Sequence, residues 1–132
     1  VSEGVPIPQF GDGTTQRDYT YVGDVINGVR AAMDRPMQRR PGQGAYEVFN
    51  LGNSETIALR DLIAVVEETA GRKAVIERRP AQPGDVPRTY ADIAKARTLL
   101  GYSPQTRLIE GMQWFADWYR TQVGECRAVP GT

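Results

Sequence analysis

No extended stretch of this sequence runs far before proline or glycine stops it, and that limits the size of any sheet. VPIPQF (5–10) carries Pro6 and Pro8, which lack the amide hydrogen a ladder needs, so it is an edge strand at best. Gly11-Asp12-Gly13 then turns the chain, and YTYV (19–22) has the residue types of a brief strand. YEVFNLG (46–52) alternates apolar and polar residues and closes at Asn50 and Gly52. KAVIERRP (73–80) is the next strand, followed by a loop, AQPGDVPRT (81–89), that Pro83, Gly84 and Pro87 hold open.

Between these segments the apolar period changes to that of a helix. Val25, Ile26, Val29, Ala32 and Met33 share a face, with Asp24 suited to the N-cap and Pro36 just past the end. MQRRPGQGA (37–45) reads as a surface loop. A second helix is predicted over 58–70, with Leu59, Leu62, Ile63, Val66 and Ala70 inward and Gly71 as its stop. A short helix follows within 91–101, capped by Asp92 and ended by Gly101. A last one runs over about 107–122, capped by Thr106, with Leu108, Ile109, Met112, Phe115 and Tyr119 inward. The expected fold is mixed α/β (α+β), with three to four short strands and about four helices. It is a small satellite domain rather than a doubly wound sheet. Residues 1–124 are expected to form the domain and 125–132 a flexible tail.

The composition narrows the chemistry. Sixteen basic residues balance sixteen acidic ones, so no overall field invites nucleic acid or an anionic membrane. No stretch approaches the roughly 18 apolar residues of a spanning helix, and the N-terminus lacks a signal-peptide pattern. Cys126 is the only cysteine, so no intrachain disulfide forms and a cytoplasmic setting is expected. With no histidine, the commonest general base and a zinc site of nitrogen and sulfur ligands are both excluded. No metal site is expected.

Two searches for catalytic motifs return nothing. G-x-G-x-x-G would need a glycine where Gln16 stands, and no G-x-x-x-x-G-K-[ST] run occurs. A tyrosine with lysine four residues on, in which the ammonium lowers the phenol's pKa, is also missing. The residues four beyond the six tyrosines are Gly23, Val25, Asn50, Ala94, Thr106 and Val123. No catalytic residue and no cofactor site are therefore expected in this chain.

What remains is Arg17-Asp18 between a turn and a strand, and Gly84-Asp85 in the later loop. A guanidinium suits phosphate and a carboxylate accepts both hydroxyls of a ribose, so together they could form a nucleotide-diphosphate corner. A local ion pair or turn bond at Arg17-Asp18, and a turn bond at Asp85, are the simpler alternatives. Trp114 and Trp118, four apart, point to packing in a core or interface rather than to ligand stacking.

FGDGTTQRDYTYVGDVINGV, YEVFNLGN, QPGDVPRTYADIAKARTLLGY and GMQWFADWY follow in an order that resembles the C-terminal part of extended short-chain dehydrogenases/reductases acting on nucleotide sugars. This is the NAD-dependent epimerase/dehydratase family, and the chain is most similar to its UDP-glucuronate 4-epimerase group over roughly residues 4–120. The resemblance implies that an N-terminal Rossmann part, absent from this chain, holds NAD and the tyrosine–lysine pair. Transient oxidation at the sugar C4 would occur there, the present chain would be inactive alone, and the full-length enzyme would be a homodimer.

By the same resemblance this chain binds the UDP of a UDP-sugar. Arg17 corresponds to the arginine on the diphosphate, Asp85 to the acid on the uridine ribose, and the Phe10 backbone to the uracil contact. Gln82 stands where related epimerases often carry a second phosphate-binding arginine, which leaves Arg79 or Arg88 to supply that charge. Thr89 lies toward the sugar and tunes which hexose fits. The alternatives are the same part of a nucleotide-sugar 4,6-dehydratase or reductase, and a non-catalytic interaction module that never had a catalytic half, against which the start at Val1 without methionine argues.

Overall fold

A computed structural model describes residues 1–36 and 46–127. The elements are β1 (Ile7–Phe10), β2 (Gln16–Arg17), α1 (Val22–Asp34), β3 (Ile57–Ala58), α2 (Leu59–Ala70), β4 (Ile76–Arg79), α3 (Ala94–Leu100) and α4 (Leu108–Arg127). Four helices and a few short strands among the described residues make the fold mixed α/β, as the sequence predicts. The loop expected over 37–45 and residues 128–132 lie outside the described residues. The chain divides into two compact units, Val1–Thr15 with Ala58–Pro87 and Arg107–Thr132, and Gln16–Ile57 with Arg88–Thr106.

In the first unit β1 and β4 pair in parallel, Ile7 opposite Ile76 through Phe10 opposite Arg79. Both strands of a two-stranded ladder have an open edge, so Pro8 costs no bond there. The Gly11–Thr15 turn prepares the start of α2. The Gly13 carbonyl accepts the Arg60 N–H at 3.0 Å and the Thr15 carbonyl accepts the Leu59 N–H at 2.9 Å, which satisfies two helix-end donors without a side-chain cap. Asp12 accepts the Thr14 N–H and hydroxyl, and these bonds hold its carboxyl below the usual aspartate range.

Helix α2 ends as its glycine predicts. Gly71 adopts φ +66°, its N–H reaches the Glu68 carbonyl and the Arg72 N–H reaches the Glu67 carbonyl, the two bonds of a Schellman motif. The Glu67 carboxylate then takes the Ala74 N–H and the Lys73 ammonium, which tie the turn to the approach to β4. Helix α4 packs against α2, and Arg120 donates to the Thr69 carbonyl at 2.6 Å. A hollow of about 430 Å³ lies beside this contact, lined by Val66, Met112, Phe115 and Tyr119 among others. Three expectations for α4 need correcting. Glu110 accepts the Arg107 N–H at the helix start, where Thr106 was the expected cap, and the helix continues past 122 to Arg127. Phe115 is exposed with Trp114 and Trp118, its ring 5.6 Å from that of Trp118.

The second unit is built around Ile93, Ala96 and Tyr102, against which Phe49, Leu51, Ala91 and Leu100 pack. Helix α3 stops at Gly101, as expected, but its cap position is Ile93 and not Asp92, which accepts the Ala94 N–H at 2.9 Å from one residue further out. Three more expectations fail here. The strand placed at 19–22 is Gln16–Arg17 instead, because the Asp18 carboxylate ties the next residues to loop amides and Val22 already opens α1. Residues 46–52 form no strand, because side chains take their carbonyls. Lys95 donates to Val48 and the Tyr102 hydroxyl to Gly52. Asp24 is not the cap of α1; it lies buried in the first turn and accepts the Thr106 N–H at 3.0 Å.

The packed face of α1 also differs from the expected one. Asp24 and Gly28 are buried, whereas Val22, Ile26, Val29 and Met33 are exposed, Met33 at 79%. The reason is steric. A Cβ on Gly28 would stand 2.7 Å from Leu51 and 2.9 Å from the Tyr102 ring, so the side without a side chain sits deepest. Gly28→Ala is therefore expected to destabilise the protein by roughly 1–2 kcal/mol, overpacking outweighing the better helix propensity of alanine. Urea denaturation of the two proteins measures this.

Candidate functional site

The sequence-derived site residues fall into two groups, one in each unit. In the first unit Phe10 ends β1 opposite Arg79, and the Gly11 N–H bonds the Arg79 carbonyl at 2.9 Å. The loop beyond Arg79 contains a tight turn, Gln82-Pro83-Gly84-Asp85, closed by the Asp85 N–H on the Gln82 carbonyl at 3.2 Å. Proline at the second position and glycine with φ +85° at the third are the requirements of a type II turn. The turn sets Gln82 and Asp85 side by side on an exposed loop. Arg79 bonds Glu77 through Nε at 3.2 Å and Nη2 at 3.0 Å.

In the second unit Arg17, Arg88 and Thr89 are brought together by backbone. Gln16 and Arg88 form a parallel bridge, and the Thr89 N–H donates to the Gln16 carbonyl at 3.1 Å. Arg17 Nη1 donates to the same carbonyl at 2.8 Å. The Arg88 guanidinium lies 5.2 Å from the centre of the Tyr90 ring, within cation–π range. Ser54 Oγ lies 2.9 Å from the Tyr90 hydroxyl and 3.1 Å from the Ala91 carbonyl, and Ser54 itself has φ +59°.

Asp18 has no room for a ribose, which decides against that reading of its carboxylate. Oδ1 accepts the Asn53 N–H at 2.8 Å and the Thr20 hydroxyl at 3.2 Å; Oδ2 accepts the Ser54 N–H at 3.0 Å and the Ala91 N–H at 3.2 Å. Four donors fill the four lone-pair positions of a carboxylate. The group is a tie between loops, closer to the simpler turn-bond alternative but reaching across far more of the chain. Nearby, burial pushes the Tyr102 hydroxyl pKa up, with the Asp24 and Asp18 charges adding to it.

An open hollow of about 510 Å³ lies in the same unit, lined by Asp18, Thr20, Phe49, Asn50, Thr89 and Tyr90 among others. Sequence reasoning missed Ser54, Tyr90 and the acceptor role of Asp18. The available signal was Gly52 directly before Asn53-Ser54, because a Cβ on Gly52 would stand 2.4 Å from the Ala91 Cβ and 2.9 Å from Asp18 Oδ2.

The Leu59 and Arg60 amides at the start of α2 donate to the Thr15 and Gly13 carbonyls. Among the described residues no group of three or more His, Cys, Asp or Glu is gathered for a metal, and no helix is long and apolar enough to cross a membrane.

Comparison with known proteins fits this arrangement. The family described as GDP-mannose 4,6 dehydratase matches residues 2–114. The chain belongs to that family. This bears out the resemblance to NAD-dependent epimerases and dehydratases read from its motifs. Within the family it is 34% identical over 130 residues to the UDP-glucuronate 4-epimerase of Thermodesulfobacterium geofontis, a match covering 98% of this chain and 38% of that protein. The UDP-glucuronic acid 4-epimerase of Bacillus cereus, solved with UDP-glucuronic acid and NAD, superposes with a TM-score of 0.77 at 36% identity. That match covers 91% of this chain and 37% of the other. The UDP-glucose 4-epimerase of Thermotoga maritima, solved with UDP-glucose, gives a TM-score of 0.80 at 30% identity over 92% of this chain and 37% of its own. The chain thus spans little more than a third of the length of its relatives.

Gly52→Ala is expected to cost about 2–3 kcal/mol, because the new methyl group meets a backbone-anchored Cβ and a committed carboxylate rather than a side chain able to swing away. Thermal or urea unfolding reads the loss.

Proposed function

We propose that this chain is the nucleotide-sugar-binding part, residues 1–124, of a UDP-sugar 4-epimerase acting on UDP-glucuronate. The observation that carries the reading is the backbone bridge joining Gln16-Arg17 to Arg88-Thr89 in a member of this family. Arg17 binds the diphosphate, the Phe10 backbone meets the uracil, Asp85 takes the ribose, and Thr89 faces the sugar. Gln82 carries no charge, so a second phosphate contact has to come from elsewhere. Arg88 is the better source, because Arg79 is engaged twice by Glu77 whereas Arg88 rests on the face of Tyr90 beside the Arg17 strand.

The chemistry lies in the remainder of the enzyme. NAD and the tyrosine–lysine pair belong to an N-terminal Rossmann part, and the exposed Val22, Ile26, Val29 and Met33 stripe of α1 is where that part covers this one. The full-length protein dimerises through that part. This chain contributes binding energy from a non-reacting group of the substrate, which orients the sugar for a reaction elsewhere. A second reading, a nucleotide-sugar 4,6-dehydratase, is favoured by the description of the matched family.

Incubating the full-length protein with UDP-glucuronate and NAD separates the two. UDP-galacturonate is the expected product, and a 4-keto-6-deoxy sugar from a nucleotide-hexose substrate would establish the dehydratase. The chain alone is expected to give no turnover. Arg17→Ala in the full-length enzyme is expected to raise KM and lower kcat/KM by about 10- to 100-fold, as loss of a charge-assisted contact of some 1.5–3 kcal/mol requires. Unchanged constants would remove the role given to Arg17.

A further inference from the structure

We propose that Asp18 is a positioning residue for nucleotide-sugar binding, holding the Arg17 segment and the Thr89–Ala91 segment in register through its carboxylate. The proposal rests on the reading that Arg17 and Thr89 meet a nucleotide sugar, and it adds a residue that does not touch that ligand.

Two rungs join the segments. The first is the Thr89 N–H on the Gln16 carbonyl, at the end of a parallel bridge only one residue pair long. Beyond it β2 ends at Arg17. The second rung is made by a side chain instead, the Ala91 N–H on Asp18 Oδ2. Arg17 lies inside the first segment and Thr89 and Tyr90 lie inside the second, so both rungs flank the candidate contacts.

The same carboxylate accepts the Asn53 and Ser54 amides. Those bonds stabilise the left-handed backbone of Ser54, whose hydroxyl lies against the hydroxyl of Tyr90, the ring beneath Arg88. One acid thereby fixes the backbone beside the Arg17 and Arg88 guanidinium groups. An amide in its place keeps one acceptor oxygen but turns the other into a donor, which faces the Ser54 and Ala91 N–H groups or the Asn53 N–H with the wrong polarity.

The sign of the effect separates positioning from the other things an acid can do near a diphosphate. If Asp18 acted only as a nearby negative charge, Asp18→Asn would tighten binding. If it served only global stability, the variant would melt earlier and bind unchanged. Positioning predicts weaker binding by folded protein.

The experiment measures UDP affinity by calorimetry, together with KM and kcat for UDP-glucuronate, on full-length wild type and Asp18→Asn, well below the melting point of either. The expected result is a rise of roughly 10- to 100-fold in the UDP Kd and in KM, with kcat within about threefold. An unchanged or lowered Kd in the folded variant overturns the inference while leaving the nucleotide-sugar reading intact. A wild type that does not bind UDP removes the reading and the inference together. Should Asp18→Asn not fold, amide hydrogen exchange of wild type decides. UDP is expected to slow exchange at Ser54 and Ala91, and equal rates with and without UDP overturn the inference.

Discussion

Extended backbone in the second unit has almost no ladder to satisfy it, so its amides and carbonyls depend on side chains, and above all on the Asp18 carboxylate. That group collects amides from 53, 54 and 91 and a hydroxyl from Thr20. Buried amides left without an acceptor would each cost on the order of 1–3 kcal/mol, so the loops have one low-energy arrangement, the one that meets this acid. The close approach of Ala91 to Gly52 and the turn at Ser54 follow from it. The adjacency of Arg17 to Arg88 and Thr89 is reinforced by the same bonds.

Tyr102 plays the matching role in the apolar part. Its ring fills the space opened by Gly28, and its hydroxyl reaches the Gly52 carbonyl, so one residue links the α1 surface to the loop that Asp18 holds. Placing Gly28 against that ring turns the helix and leaves its aliphatic stripe outward. An apolar stripe at spacings of four, three and four residues has helical periodicity but is unburied in this unit, as a surface meant for another protein part would be.

Much of the fold was legible in the sequence because its signals are local. Gly71 and Gly101 end their helices, and Pro83-Gly84 forces the turn that pairs Gln82 with Asp85. The errors share a different cause. Alternation in 46–52 suggested a strand, but a strand needs a neighbour to bond, and long-range side chains claimed those carbonyls first. Periodicity identified α1 correctly but not which side of it is buried, since burial there was decided by the absence of a side chain at Gly28. The candidate site follows the same division. Arg17, Asp85 and Thr89 were proposed from motifs, whereas the bonds of Asp18 reach partners 35 to 73 residues away along the chain.

The interleaving of the two units along the chain also bears on how the protein is made. Each is assembled from separate stretches, and the core of the second needs Gly28, Leu51 and Tyr102 at once. On a ribosome adding ~5–20 residues per second, α1 exists for several seconds before the ring it packs against has been synthesised. The Asp24 and Gly28 side is uncovered during that interval. The second core therefore closes only once Tyr102 has been made.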